Sequence, residues 1–244
     1  MAKVILFGIT EMSEMMHFYL THDSPHQVVA FTVDERYLDC ESFCGLPVLP
    51  FETIEKTHPP TDYEMGVLLG FREVNRLRAR KYAEAKAKGY RFISYISSKA
   101  IAWPGVEVGE NTFVFEQSVL MPFSKVGNDV FVSLGCLVGH HSTVADHTFL
   151  SAHVVLLGCV NIGGYCILGA NATIKDLVTV ADSCVIGVGT SITKNTKPGQ
   201  VYVAHPAQLL PKPSSQLSNW VTWTANMPKN RKAPVKPKPG GEQG

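Results

Sequence analysis

No apolar run in this chain of 244 residues approaches the ~20 residues needed to cross a bilayer as a helix, so stable membrane insertion is not expected. The opening "MAKVILFGITEMSEM" turns acidic where a signal peptide would stay apolar, and the expected location is the cytoplasm. The six cysteines form no CxxC; Cys40 and Cys44 in "CESFC" come nearest, and structural disulfides are not expected. There is no excess of charge of one sign either, with 22 Lys/Arg against 21 Asp/Glu. The imbalance that exists is local. From residue 212 onward six basic residues face one acid, Glu242, which leaves 16 basic and 20 acidic residues in the body. A nearly neutral body with a basic tail gives no general case for nucleic-acid binding.

What is present divides into two patterns. Residues 3–97 alternate buried-strand and helix signals: "KVILFGI", then "EMSEMMHFYLTH" with apolar positions three and four apart, then "QVVAFTV" ending at Asp34 and Glu35. "LPVLP" and "EMGVLLG" read as further strands, "EVNRLRARKYAEAKAKG" as a helix stopped by Gly89, and "RFISYIS" closes the series. Strands without polar alternation, interleaved with helices, predict a small parallel sheet with helices on its faces.

From residue 106 the period becomes six. Val108, Val114, Leu120, Val126, Val132, Val138, Val144, Leu150, Leu156, Ile162, Leu168, Ile174, Val180, Ile186 and Ile192 occupy the third place of fifteen successive hexads. Neither a helix nor an ordinary alternating strand has that period, so it predicts a solenoid. Each hexad makes one short strand and a corner, and three return the chain to its starting face. The third residue fills the axis of a triangular prism, and the first needs a small inward side chain. Cys136, Cys166 and Cys184 all stand at that first place and read as small core residues.

The hexads resemble those of the left-handed parallel β-helix of hexapeptide-repeat acyltransferases. Together with the α/β half and the closing "KPGQVYVAHPAQ", residues 3–210 resemble the NeuD/PglD subfamily of sugar acetyltransferases. The handedness is an implication of the resemblance, since ordinary parallel crossovers are right-handed. The resemblance implies three regions: a Rossmann-like domain over 1–97, a β-helix acyltransferase domain over 98–210, and a basic Pro/Lys-rich tail over 211–244, largely disordered. It also implies a homotrimer, with acetyl-CoA as co-substrate held between adjacent subunits. The acceptor is a nucleotide-linked amino sugar or a sugar hydroxyl.

Three histidines fall in "GHHSTVADH", and His153 follows. Aligning the family's "H-acid-x-V-x-G-acid" with "HHSTVAD" makes His140 the general base and puts His141 where the supporting acid belongs. A neutral imidazole there can orient His140 but adds no negative charge. The plain alternative is an exposed corner residue. The resemblance further implies that the Gly158 N–H meets the thioester carbonyl, and that Ala170 and Val188 hold pantetheine. It also implies a cofactor contact at Phe149, where relatives carry another histidine. His141, His147 and His153 are six apart and so must project from three sides of one coil, which disfavours a single intrachain metal. The γ-class carbonic anhydrases share this prism, but their His-x4-His pair is absent.

In the first half, relatives carry G-x-G-G-H-G-K after the first strand, a turn that admits phosphate at a helix start. Here the turn is Gly8-Ile9-Thr10-Glu11-Met12-Ser13, with one glycine, no lysine and an acid that opposes a diphosphate. Gly8, Ile9, Thr10, Asp34 and Glu35 are the candidate substrate contacts, Asp34 and Glu35 being equally at home as turn residues. In the tail, Trp220 and Trp223 could anchor a short docked segment. Two further readings stay open: a non-catalytic hexapeptide-repeat scaffold, and a zinc-dependent hydratase.

Overall fold

The computed structural model describes residues 1–207, 209, 211 and 213–216; Trp220, Trp223 and the rest of the basic tail lie outside them. Met1–Ala204 form one compact unit and His205–Gly244 a second, whose described part includes a short 3-10 turn, Ser214–Gln216.

The first half is built on β1 (Lys3–Phe7), α1 (Glu11–Asp23), β2 (Gln27–Val33), β3 (Ser42–Phe43), β4 (Leu46–Pro50), β5 (Tyr63–Val67), α2 (Arg76–Ala87) and β6 (Arg91–Phe92). They form one sheet in the order β3-β4-β2-β1-β5-β6, parallel except for the β3–β4 edge hairpin. β1 is central and apolar on both sides because both sides are covered: Val4 and Leu6 face one core, Ile5 and Phe7 the other. The helix read from Glu73 starts three residues later. Glu73, Val74 and Asn75 all have positive φ, making a left-handed turn that ends at Asn75, the residue preceding α2. That conformation is costly for a β-branched residue such as Val74. Asn75 fixes it from below: it is fully buried, donates from Nδ2 to the Cys166 carbonyl at 2.9 Å, and accepts from Arg78 at 3.2 Å.

The hexads form a three-sided prism of stacked parallel strands, in keeping with a left-handed β-helix. "RFISYIS" divides, so that Arg91–Phe92 closes the first sheet while Tyr95–Ile96 is the first strand of the prism. The solenoid thus begins before the run of aliphatics that reveals it. In fourteen of the fifteen hexads the third residue is buried; Val108, in the first coil, is half-covered. The sixth residue of the first fourteen hexads turns the corner with φ near +60°, including His141, His147, His153 and Leu177. For an L-residue this costs roughly 1–2 kcal/mol. The return is a stacking bond: His141, Cys159 and Leu177 each donate their N–H to a carbonyl one coil below, on Pro122, His140 and Gly158.

The second residue of each hexad points outward and gives the three sides different characters. One side is aromatic, carrying Tyr95, Phe113, Phe131 and Phe149, with Phe131 and Phe149 stacked at 5.6 Å. α1 and the first sheet cover it, and Phe113, Phe131 and Phe149 share a core with Val4, Leu6 and Phe31. Burying each such ring stabilises by about 1.5–3 kcal/mol. The second side is aliphatic, with Ile101, Val119, Leu137 and Val155, and none of the four is buried. The third is polar, with Glu107, Lys125, Thr143 and Asn161 joined by the Glu107–Lys125 ion pair at 2.8 Å and a Thr143–Asn161 hydrogen bond.

Candidate active site

The strand Leu137–Val138 lies on the aliphatic side and Thr143–Val144 on the polar side, so the segment between them forms one long edge of the prism. Stacking in steps of one coil, this edge presents Pro122-Phe123, His140-His141, Gly158-Cys159 and Asp176-Leu177. His140 and His141 are both exposed. Their Nδ1 atoms are 3.2 Å apart, so one carries the proton and the other accepts it. If His140 donates, its Nε2 keeps a free lone pair, the form a general base requires. His141 is held in turn by the Phe123 ring, 4.7 Å away centre to centre.

Gly158 stands directly above His140, as the hexad spacing predicts, and its lack of a side chain leaves the room that the imidazole occupies. A Cβ on Gly158 would lie 2.5 Å from His140 Nε2, inside any tolerable contact. The Gly158 N–H, read from the resemblance as the oxyanion donor, already donates to Asp176 Oδ1 at 2.9 Å. A carboxylate at that N–H opposes an oxyanion, so the N–H becomes free for one only when Asp176 turns away. Asp176 was not among the candidates from sequence. Counting two coils up the same edge from His140 would have found it.

The remaining cofactor candidates are not on this edge. Ala170 and Val188 lie between the aromatic and aliphatic sides, on the edge that also carries His153. The width of the aliphatic side separates them from His140. Phe149 is farther off still: it belongs to the aromatic side, opposite the His140 edge, and is enclosed by Phe131 and by Phe71 at 5.3 Å. Within one chain it is a core residue, not part of a groove beside His140. His147 occupies the third edge, where its Nδ1 meets Asp129 Oδ2 at 2.8 Å. Asp129 also pairs with Arg78 Nε of α2 at 3.0 Å, with both side chains fully buried, and accepts from Asn111 at 2.7 Å. The three histidines of one coil thus stand on three edges. Among the described residues no group of three or more His, Cys, Asp or Glu could hold a metal ion.

A second feature lies at the carboxyl ends of β1, β2 and β5: a cavity of about 180 Å³ lined by Gly8, Ile9, Thr10, Asp34, Tyr37, Arg72 and Lys81, among others. Gly8 has φ +117°, and a Cβ there would press on Ser13 Oγ at 2.9 Å and the Leu68 carbonyl at 3.1 Å, so the close turn admits only glycine. Asp34 lines the cavity, but its carboxylate is committed to Lys81 Nζ at 2.6 Å. Burial pushes the Lys81 ammonium down, yet the Asp34 and Glu84 carboxylates outweigh it and hold it above its ordinary value. Glu35 does not line the cavity; it is exposed in a 3-10 turn, with its N–H on Glu52. Sequence reading missed both Lys81 and Arg72 because they come from beyond β5, and no turn motif announces them.

No family model matches the chain, and no curated protein matches it in sequence. Solved structures do match its shape. The acetyltransferase domain of PglB from Neisseria gonorrhoeae superposes with a TM-score of 0.75 at 21% identity, covering 86% of this chain and 100% of that one. Perosamine N-acetyltransferase from Caulobacter crescentus, a His-to-Asn variant in complex with CoA and GDP-perosamine, gives 0.76 at 20% identity, covering 85% and 96%. The chain shares the fold of these acetyltransferases. The PglB domain has also been solved in complex with acetyl coenzyme A, at a TM-score of 0.72.

Proposed function

We propose that the protein is an acyl-CoA-dependent acetyltransferase acting on a nucleotide-linked amino sugar or a sugar hydroxyl, with His140 as general base. The observation that carries this reading is the His140–Gly158 contact. An exposed imidazole has one nitrogen fixed by His141, while the other is brought against a glycine backbone. As the acceptor nitrogen or oxygen bonds to the thioester carbon, His140 Nε2 takes its proton. The C–S bond then breaks and the proton passes to the leaving thiolate. Gly158 N–H receives the carbonyl oxygen once Asp176 has turned from it. The acyl group passes directly, so no nucleophilic Ser or Cys is assigned.

The first half is read as a Rossmann-like domain that binds the nucleotide portion at the β1–β2–β5 cavity. Gly8, Ile9 and Thr10 form its floor, and Tyr37 offers a ring to a base. Arg72 supplies positive charge that the turn itself lacks and that Glu11 opposes, the Lys81 charge being already met by Asp34 and Glu84. The bare aliphatic side argues for a homotrimer. Exposed Ile101, Phe123, Leu177 and Val188 flank or continue it, an apolar surface suited to a second copy. Threefold closure would bring the His140 edge of one subunit toward the Ala170–Val188 edge of the next, making one acetyl-CoA groove from two chains. Nothing in the first half or the prism points to nucleic acid, and no described helix is long and apolar enough to cross a membrane.

The direct test is release of CoA thiol from acetyl-CoA in the presence of nucleotide-linked amino sugars. Acceptor-dependent release supports the reading. No release, combined with no thermal stabilisation by millimolar acetyl-CoA, would overturn it and leave a scaffold.

A further inference from the structure

The edge that carries His140 has a feature the aligned motif does not account for. Where the motif places an acid beside the base, this chain has His141, so the imidazolium formed during transfer lacks a negative partner in sequence. The fold supplies one from elsewhere. Asp176 Oδ1 lies 3.3 Å from the point where a Gly158 Cβ would sit, and His140 Nε2 lies 2.5 Å from the same point. The glycine thus leaves an imidazole nitrogen and a carboxylate oxygen facing across a gap that no described side chain fills. Their separation is within the ~4–6 Å over which an opposite charge favours the charged form of a group. Asp176 makes no ion pair among the described residues, so its charge is uncommitted. The other titratable residues on this edge are His141, Cys159, Lys175, which is exposed beside Asp176, and Lys194, in register one coil above Asp176; the coil below brings Pro122 and Phe123.

We propose that Asp176 is a positioning residue for His140, supplying across Gly158 the negative charge that the neighbouring position lacks. The proposal rests on the acyltransferase reading for its catalytic consequence, though not for the pairing itself. In the resting protein the carboxylate caps Gly158 N–H. When a thioester oxygen takes that N–H, the carboxylate turns to the imidazole, which is then receiving the acceptor's proton. One residue thus guards the donor while the site is empty and stabilises the cation while it is filled. No bond is made or broken at Asp176.

Asp176→Asn separates the charge from the cap. At another edge of the prism Asn128 Oδ1 accepts from Glu110 N–H at 3.0 Å, in the same stacking relation as Asp176 to Gly158, so an asparagine can keep the structural bond. The experiment is an NMR titration of the histidine Cε1–H signals of the full chain, with His140 assigned by its disappearance in His140→Gln. The expected result is that the His140 signals titrate at lower pH in Asp176→Asn than in wild type, with those of His147 and His153 unmoved. In the thiol-release assay the same variant should lose about 5–10-fold in kcat at near-constant KM for acetyl-CoA. An unmoved His140 midpoint, or a moved midpoint with kcat unchanged, would overturn the proposal. Because the titration needs no substrate, it decides the pairing even where wild-type protein releases no thiol, an outcome that overturns only the acyltransferase reading.

Discussion

His141 and His147 take the same backbone conformation, six residues apart, with φ of 58° and 61°. Their surroundings are opposite. His147 sits on the edge that α2 covers, with its ring against Tyr82 and Tyr165 and its Nδ1 on a carboxylate that also holds a buried arginine. His141 and its neighbour His140 sit on an edge that no described residue covers, beside Phe123 and Leu177, both exposed. The hexad sets where each ring starts. What the ring does is decided by the element that packs on its edge. A histidine with every partner supplied by its own chain is structural, while one whose partners leave a lone pair and an open surface is available for chemistry.

The sharpest way to break this comparison is to remove each ring. His140→Ala should lower kcat by about 10²–10⁴, the usual contribution of a positioned base, and leave the melting temperature close to wild type. His147→Ala should do the reverse, lowering stability measurably while folded protein keeps its turnover. If both variants lost only stability, the two edges would be equivalent and the base assignment would be wrong. The next largest effect belongs to the covered edge alone. Arg78→Met leaves Asp129 buried and without its strongest partner, which should cost about 3–5 kcal/mol in denaturant unfolding.

A third prediction sharpens the open edge. Gly158→Ala places a methyl 2.5 Å from His140 Nε2, so the imidazole must rotate off its position. We expect a loss in kcat of about 10–100-fold with little change in unfolding free energy, because the His140 ring that must give way is exposed and free to turn. A variant with full kcat would show that the ring's position over Gly158 is not the reactive one.

Much of this arrangement was legible in the sequence, for a physical reason. A solenoid repeats its environment, so fifteen aliphatics at one spacing define a core, and adding eighteen residues to His140 lands on Gly158. The same arithmetic correctly put the three histidines on three sides. It does not reach the cofactor candidates, since Ala170 and Val188 are thirty and forty-eight residues from His140 and neither number is a multiple of a coil. Phe149, at nine residues, falls on the opposite side for the same reason. Those assignments came by analogy, and they bear on a groove only if a second chain completes it. The α/β half gave its strands and helices but not its cavity. Lys81 and Arg72 enter through the left-handed turn at Glu73–Asn75 and the first turns of α2, where periodicity indicates a helix but not what it faces.

The smallest expected effect concerns how the first half is tied to the covered side of the prism. Asp23, at the end of α1, accepts from Tyr95 Oη at 2.6 Å, from Ser97 Oγ at 3.1 Å and from Ser98 N–H at 2.9 Å. These donors, Ser98 first, hold its carboxyl well below the usual carboxylate range. A depressed pKa in the folded state means the folded form prefers the ionised group. The stabilisation is therefore complete above the unfolded value near 4, and it is lost as pH falls from there toward the folded value. Allowing for solvent screening at this half-exposed site, it is worth about 1–2 kcal/mol. Asp23→Asn should therefore unfold more easily than wild type at pH 6, and the two stability curves should approach each other as pH is lowered below about 4. Equal stability at pH 6 would show that the link between α1 and Ser97–Ser98 contributes nothing, leaving the aromatic side and the Arg78–Asp129 edge as what binds the first half to the prism.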